Sequence, residues 1–272
     1  MGLFLGAGAS SAVGLPSWEK LVKAICLERW SGFDIVSSYT TEELKTHISN
    51  VKADYNNDDI YLEAVQRNLY KGVDFDFTLA RKELLIALSS LLIGAHHGKV
   101  ENIVTLNFDS VMEWYLQMLG LRVNILSKDQ LLHHASDVSI THINGYLPHN
   151  STYGENSDFL IFSEEDFQNR SFSPYDYWKD YLIEFFRRHI FLSVGMSCSS
   201  LIYDVRPYLT RLDQWYEIQK IERLKPYGFA FVSTDSTDEE IAKLTKMGVV
   251  ACRFEHNEIP PALFDILNHA VS

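Results

Sequence analysis

The sequence predicts a doubly wound α/β protein built on a mostly parallel sheet. Short apolar runs, several of them β-branched, recur along the chain, and stretches with helical spacing of apolar residues lie between them. Runs that stay apolar without alternation suit parallel strands covered on both faces, and strand alternating with helix is the pattern of a doubly wound sheet. The first run also feeds directly into a glycine turn, as a ligand-binding sheet of this kind requires.

The first strand is read at Gly2–Leu5, followed by Gly6-Ala7-Gly8-Ala9-Ser10. Glycine has no side chain to hold another backbone or a ligand away. A helix starting at Ser10 would aim its free amides and positive dipole end at an anion. The third glycine of the usual dinucleotide fingerprint falls at Ser11, so this is not the ordinary dehydrogenase loop. Ser17–Trp30 has helical spacing. Residues 31–98 read as largely helical, with a polar cluster at Tyr55-Asn56-Asn57-Asp58-Asp59 and no clear strand. They are expected to form a helical insert, a second and smaller lobe.

The next strands are read at Ile103–Leu106, Val123–Leu126, Ser139–Ile143, Ile190–Val194, Gly228–Val232 and Val249–Phe254. Helices are read at Ser110–Leu119, Tyr175–Arg188 and Asp238–Met247, the last opened by Thr237 as N-cap with Glu240 three residues on. Residues 148–174, rich in Ser, Asn, Pro and aromatics, read as a long loop over the sheet.

Composition narrows the function classes. An apolar fraction of 46% supports a packed core, and a net charge of -12 argues against direct nucleic-acid binding, which needs clustered Lys and Arg. No apolar run has the length of a bilayer span, and no membrane association is expected. Cys26, Cys198 and Cys252 stand far apart, without a Cys-x-x-Cys, so no metal site is expected and a reducing, cytoplasmic setting is the simplest reading.

In an open α/β sheet, ligands sit beyond the carboxyl ends of the strands. Those ends carry Gly6–Ser10, Thr105-Leu106-Asn107-Phe108-Asp109, Thr141-His142-Ile143-Asn144-Gly145-Tyr146, and Gly195-Met196-Ser197 followed by Ser199 and Asp204. Each has a bland reading. Asn107 or Asp109 would cap the helix near Ser110, His142 would be a hydrogen-bonded core histidine, and Asp204 would pair with Arg206 or Arg211.

Taken together, in this order, the segments resemble those of sirtuin-like proteins. Gly6-Ala7-Gly8-Ala9-Ser10 with Gly14-Leu15-Pro16-x-Trp18 is similar to that family's nucleotide loop. Thr105-Leu106-Asn107-Phe108-Asp109 is similar to its Thr-x-Asn-(Tyr/Phe)-Asp segment, and Phe191–Ser197 with Asp204 to its Gly-x-Ser…Asp segment. The resemblance implies a Rossmann-like NAD-binding domain over residues 1–30 and 99–272, with residues 31–98 as the insert. Lacking the paired cysteines of the zinc-bearing protein deacylases, the chain more closely resembles the sirtuin-like domains of bacterial antiphage systems, which hydrolyse NAD. That likeness implies NAD as substrate, no metal, and control through a homo-oligomer or through a sensor, activator or fused domain.

The resemblance implies NAD contacts from Gly6, Ala7, Gly8, Ala9, Ser10, Pro16, Trp18, Thr105, Gly145, Gly195, Ser197 and Asp204. It implies catalytic parts for Asn107, Asp109, His142 and Asn144. One departure stands out: the family's catalytic histidine immediately precedes the glycine, and here that position is Asn144. An amide has no useful titration near pH 7. His142, two residues back on the same strand face and about 6–7 Å away, is the candidate substitute. Two readings stay open: a NAD glycohydrolase, and a regulatory module that binds NAD or another nucleotide without cleaving it. A protein deacylase without the zinc module is a third.

Overall fold

The computed structural model describes the chain apart from residues 34–38, 77, 94–99, 101, 128–134, 151–159, 173–176, 223–225 and 272. Seven strands form one all-parallel sheet in the order β3-β4-β2-β1-β5-β6-β7. They are β1 (Gly2–Leu5), β2 (Asn102–Thr105), β3 (Val123–Leu126), β4 (Val138–His142), β5 (Phe191–Val194), β6 (Gly228–Ser233) and β7 (Val249–Phe254). The chain builds β1, β2, β3 and β4 on one side, then crosses to β5 on the other side of β1. That reversal makes the carboxyl ends of β1 and β5 the topological switch point.

Both faces of the sheet are covered, and the alternation along each strand sorts the side chains. Leu3, Leu5, Ile103, Ile140, Leu192 and Phe231 enter one buried cluster. Phe4, Val104, Phe191, Ala230 and Val232 enter the other. On the first face lie α2 (Trp18–Arg29), α3 (Thr41–Asp54), α4 (Asp58–Leu69), α5 (Glu83–Ile93), α6 (Val111–Met118) and α12 (Ile259–Val271). The second face is covered by α8 (Tyr177–Arg188), α10 (Arg206–Gln219) and α11 (Asp238–Lys246). Between β5 and α10 run a single turn, α9 (Cys198–Ser200), and a π-helical turn at Leu201–Val205.

Buried residues of α3, α4 and α5, such as Ile48, Val65 and Leu88, share one core with the sheet residues Leu3 and Ile103. Among the described residues, 31–98 contain no strand. The Thr237–Glu240 capping box forms as expected at α11.

Two expectations need correction. The helix after the glycine turn does not begin at Ser10: α1 spans Ala7–Ser11 with Gly6 as N-cap, so Ser10 lies in its last turn. Part of the expected loop 148–174 is α7 (Glu164–Phe172). Its start is a reciprocal cap, in which Asp166 Oδ2 accepts from Ser163 N–H at 2.9 Å and Ser163 Oγ accepts from Asp166 N–H at 3.2 Å. Helices α10 and α12 add to the elements expected. They open on prolines, Pro207 in α10 and Pro260-Pro261 in α12, a residue suited to a first helical turn. The first two positions of the expected helix 175–188 fall outside the described residues, as do 151–159 and 173–174 of the expected loop.

Candidate functional site

Leu5, Thr105, His142 and Val194 are paired across β1, β2, β4 and β5, so these strands end at one level. With adjacent strands roughly 4.8 Å apart, the residues that follow gather along one edge. The sequence segments singled out above are therefore brought side by side by register.

The glycine turn is shaped by its neighbour on β5. Gly6 N–H donates to Val194 O at 3.0 Å and Gly8 N–H to Gly195 O at 2.8 Å, while Ala9 N–H donates to Gly6 O at 2.9 Å. Gly195 has φ +76, and a Cβ on it would collide with Ala9 N. A Cβ on Gly8 would stand 2.7 Å from Gly195 Cα. The close approach that demands glycine here is thus backbone to backbone. It also occupies three of the amides expected to face an anion. The Ala7 amide of this turn has no acceptor among the described residues.

Asn107 ties β2 to this turn. Its Nδ2 donates to Gly6 O at 3.0 Å and to Ser10 Oγ at 3.1 Å. Its backbone N–H donates to Thr105 Oγ1 at 3.0 Å, and Thr105 Oγ1 in turn donates to Leu5 O at 3.2 Å. Both hydrogens of the Asn107 amide are used inside the protein, so the group it retains for a ligand is the acceptor Oδ1.

Below this ledge lies a buried polar cluster. Asp109 is 6% exposed and accepts from Val111 N–H at 3.1 Å, which starts α6, and also bonds Ser10. Burial pushes its carboxyl up to about 6, the Ser10 bond opposing and the Glu113 charge adding to the rise. His142 is 1% exposed. Its Nδ1 lies 2.8 Å from Asn107 O, and its Nε2 bonds Glu113 Oε1. Burial alone would lower its pKa, but the Glu113 charge and hydrogen bond outweigh that and raise it. In this arrangement His142 has no free lone pair with which to take a proton.

Asn144 is half-buried. Its Nδ2 donates to Leu106 O at 3.3 Å and its backbone carbonyl accepts from Ile161 N–H at 2.8 Å. Gly145 follows with φ +101, a value that favours glycine. Trp18 opens α2 after the N-cap Ser17, with Pro16 half-buried before it. Its ring meets Phe162 edge-on at 6.2 Å, and Phe162 meets Phe108 at 5.4 Å, linking α2 to the Asn107 segment. Ser197 is exposed and caps α9 by accepting from Ser200 N–H at 3.1 Å, whereas Asp204 lies farther along, in the π turn.

The sequence reading missed two sets of residues. Glu113 is one; an acid one turn beyond Asp109, in a helix otherwise apolar around it, was the available signal. The other fastens the chain after Gly145: Tyr70 OH donates to Leu147 O at 2.6 Å and accepts from Ser110 N–H at 2.9 Å, and Gln66 Nε2 donates to Pro148 O. Ser110 Oγ pairs with His149 Nδ1 at 3.0 Å, and Phe75 stacks on the His149 ring at 3.7 Å. Residues of α4 and the stretch after it therefore hold the β4 exit.

A parallel sheet whose strand order reverses beside a glycine turn and polar strand ends defines a doubly wound α/β protein, the class in which ligands bind at that switch point. The profile of the family described as SIR2-like domain matches residues 101–250, more than half of the chain, and the chain belongs to that family. SIR2-like domains bind NAD and are broadly NAD-dependent enzymes. No curated protein sequence matches the chain. Among the described residues, no group of three His, Cys, Asp or Glu side chains is placed to hold a metal, and no helix is long and apolar enough to cross a membrane.

Proposed function

We propose that the chain is a NAD glycohydrolase, binding NAD above β1 and β5 and hydrolysing its nicotinamide–ribose bond to deplete NAD in antiphage defence. The carrying observation is Asn107, whose two amide hydrogens are fixed to Gly6 O and Ser10 Oγ while Oδ1 remains to accept from a ribose hydroxyl or a water. Cleavage builds positive charge on the sugar, and a fixed acceptor beside it orients the nucleophile without reorganising. The Ala7 amide offers a donor to the phosphates, Ser197 stands exposed on the adenosine side, and Gly6, Gly8, Ala9 and Gly195 shape the floor. Residues 31–98 act as an insert whose α4 braces the β4 exit. The defence role, and control by a homo-oligomer or a sensor or activator, rest on the sequence resemblance.

A second reading, a module that binds NAD without turnover, is favoured by one observation. Asn144 stands where the resemblance places a titratable side chain, and both ring nitrogens of His142 are engaged. NAD turnover by the purified chain, compared with Asn144→His and Asn107→Ala, separates the two. Turnover abolished by Asn107→Ala supports the hydrolase. An inert chain that gains turnover as Asn144→His identifies position 144 as the missing base. NAD binding by calorimetry with no turnover in any form supports the module, and no binding at all overturns both.

A further inference from the structure

We propose that Glu113 is a positioning residue of the nucleotide site: with His142 it forms a buried ion pair that fixes the Asn107 carbonyl, and through it the Asn107 amide. The inference rests on the NAD-site reading above.

The geometry is a chain of three bonds. Glu113 Oε1 meets His142 Nε2, His142 Nδ1 meets Asn107 O at 2.8 Å, and Asn107 Nδ2 reaches Gly6 O and Ser10 Oγ. Both ring nitrogens of His142 therefore face oxygen acceptors. A neutral imidazole carries one N–H, so two acceptors require the doubly protonated ring when Glu113 is ionised. The imidazolium and carboxylate are both buried, with side chains 1% and 3% exposed, where an unpaired charge is expensive and a paired one is held rigidly. Other groups facing the pair are Asp109, at the start of α6, and Tyr146, whose ring lies 4.6 Å from that of His142. Glu113 Oε2 is buried with no hydrogen-bond partner among the described residues. Keeping a half-satisfied carboxylate in a core is unfavourable, and its tie to the Asn107 segment gives it a reason to persist.

The pair acts on the backbone of Asn107, whose Oδ1 is the acceptor proposed for the ligand. Replacing Glu113 by Gln keeps the shape and removes the charge, so the His142 ring becomes neutral and its bond to Asn107 O weakens. Weakening that bond places the loss in NAD affinity at about tenfold, which is about 1.4 kcal/mol.

The test combines ¹⁵N-histidine NMR with NAD calorimetry, the His142 signals being assigned by their loss in His142→Gln. In the unmodified chain at pH 7.5 the ring should carry protons on both nitrogens. In Glu113→Gln one nitrogen should lose its proton and NAD binding should weaken about tenfold. A neutral His142 ring in the unmodified chain overturns the proposal. So does unchanged NAD affinity in a folded Glu113→Gln. If the unmodified chain fails to bind NAD, the nucleotide reading falls and the positioning role with it, whereas the ring signals still report the ion pair.

Discussion

At the scale of single residues, the buried cluster makes stability depend on pH in a defined direction. Asp109 holds its proton more tightly when folded, near pH 6, than the roughly 3.9 of an unfolded aspartate. The folded state therefore binds more protons, and stability falls as pH rises from about 4 to about 6. His142, also raised, acts in the same sense: its contribution is complete below the unfolded value of roughly 6.5 and is lost as pH climbs through the folded one. Asp109→Asn should flatten the lower part of this profile. At pH 7.5 it should stabilise the protein by at most ~3 kcal/mol, less whatever the Ser10 and Val111 bonds lose. Thermal unfolding between pH 4 and 8 checks it; a variant with the parent's slope would remove Asp109 as its source.

At the scale of elements, the junction between the β1 turn and the β5 end tolerates no side chain. Gly195→Ala combines a positive φ with a backbone collision at Ala9, and should destabilise by about 3 kcal/mol or more, read from denaturant unfolding. The α7 cap is a second test. Lys52 Nζ bonds Asp166 Oδ1 at 2.7 Å, and Asp166 also accepts from Phe162 and Ser163 N–H. Burial would raise that carboxyl, but the Lys52 and Ser163 bonds hold it below the usual range, so its stabilisation is present above about pH 4 and lost below. Asp166→Ala should cost about 1–3 kcal/mol at pH 7 and less at pH 3, measured by chemical denaturation.

The same elements show what a sequence makes legible. The central strands could be read because they are short runs buried on both faces, and Leu3, Phe4 and Leu5 leave no solvent face to blur the pattern. Helix α7 was hidden by its polar composition, although Ser163-Glu164-Glu165-Asp166 spelled out its cap. The strand-end residues stood out as polar groups following apolar runs. Glu113 did not, since an acid in a helix reads as a solvated face until the packing shows it 2% exposed.

At the scale of the whole molecule, the sheet and residues 31–98 share one core, and this predicts cooperative behaviour. Leu44, Ile48, Val65 and Leu88 pack in the same cluster as Leu3 and Ile103. Excising residues 31–98 should therefore leave an unfolded or aggregated remainder, and calorimetry of the intact chain should show a single transition. Two separate transitions would mean that the lobes fold independently.

The placement of β1 has a consequence for synthesis. The strand at the centre of the sheet is made well before its partners, which are residues 102–105 on one side and 191–194 on the other. At roughly 5–20 residues per second, β1 waits on the order of ten to forty seconds on the ribosome before β5 emerges. Through that interval Leu3, Phe4 and Leu5 present an apolar strand with an open edge, so the nascent chain, more than the finished protein, is the species that depends on chaperones.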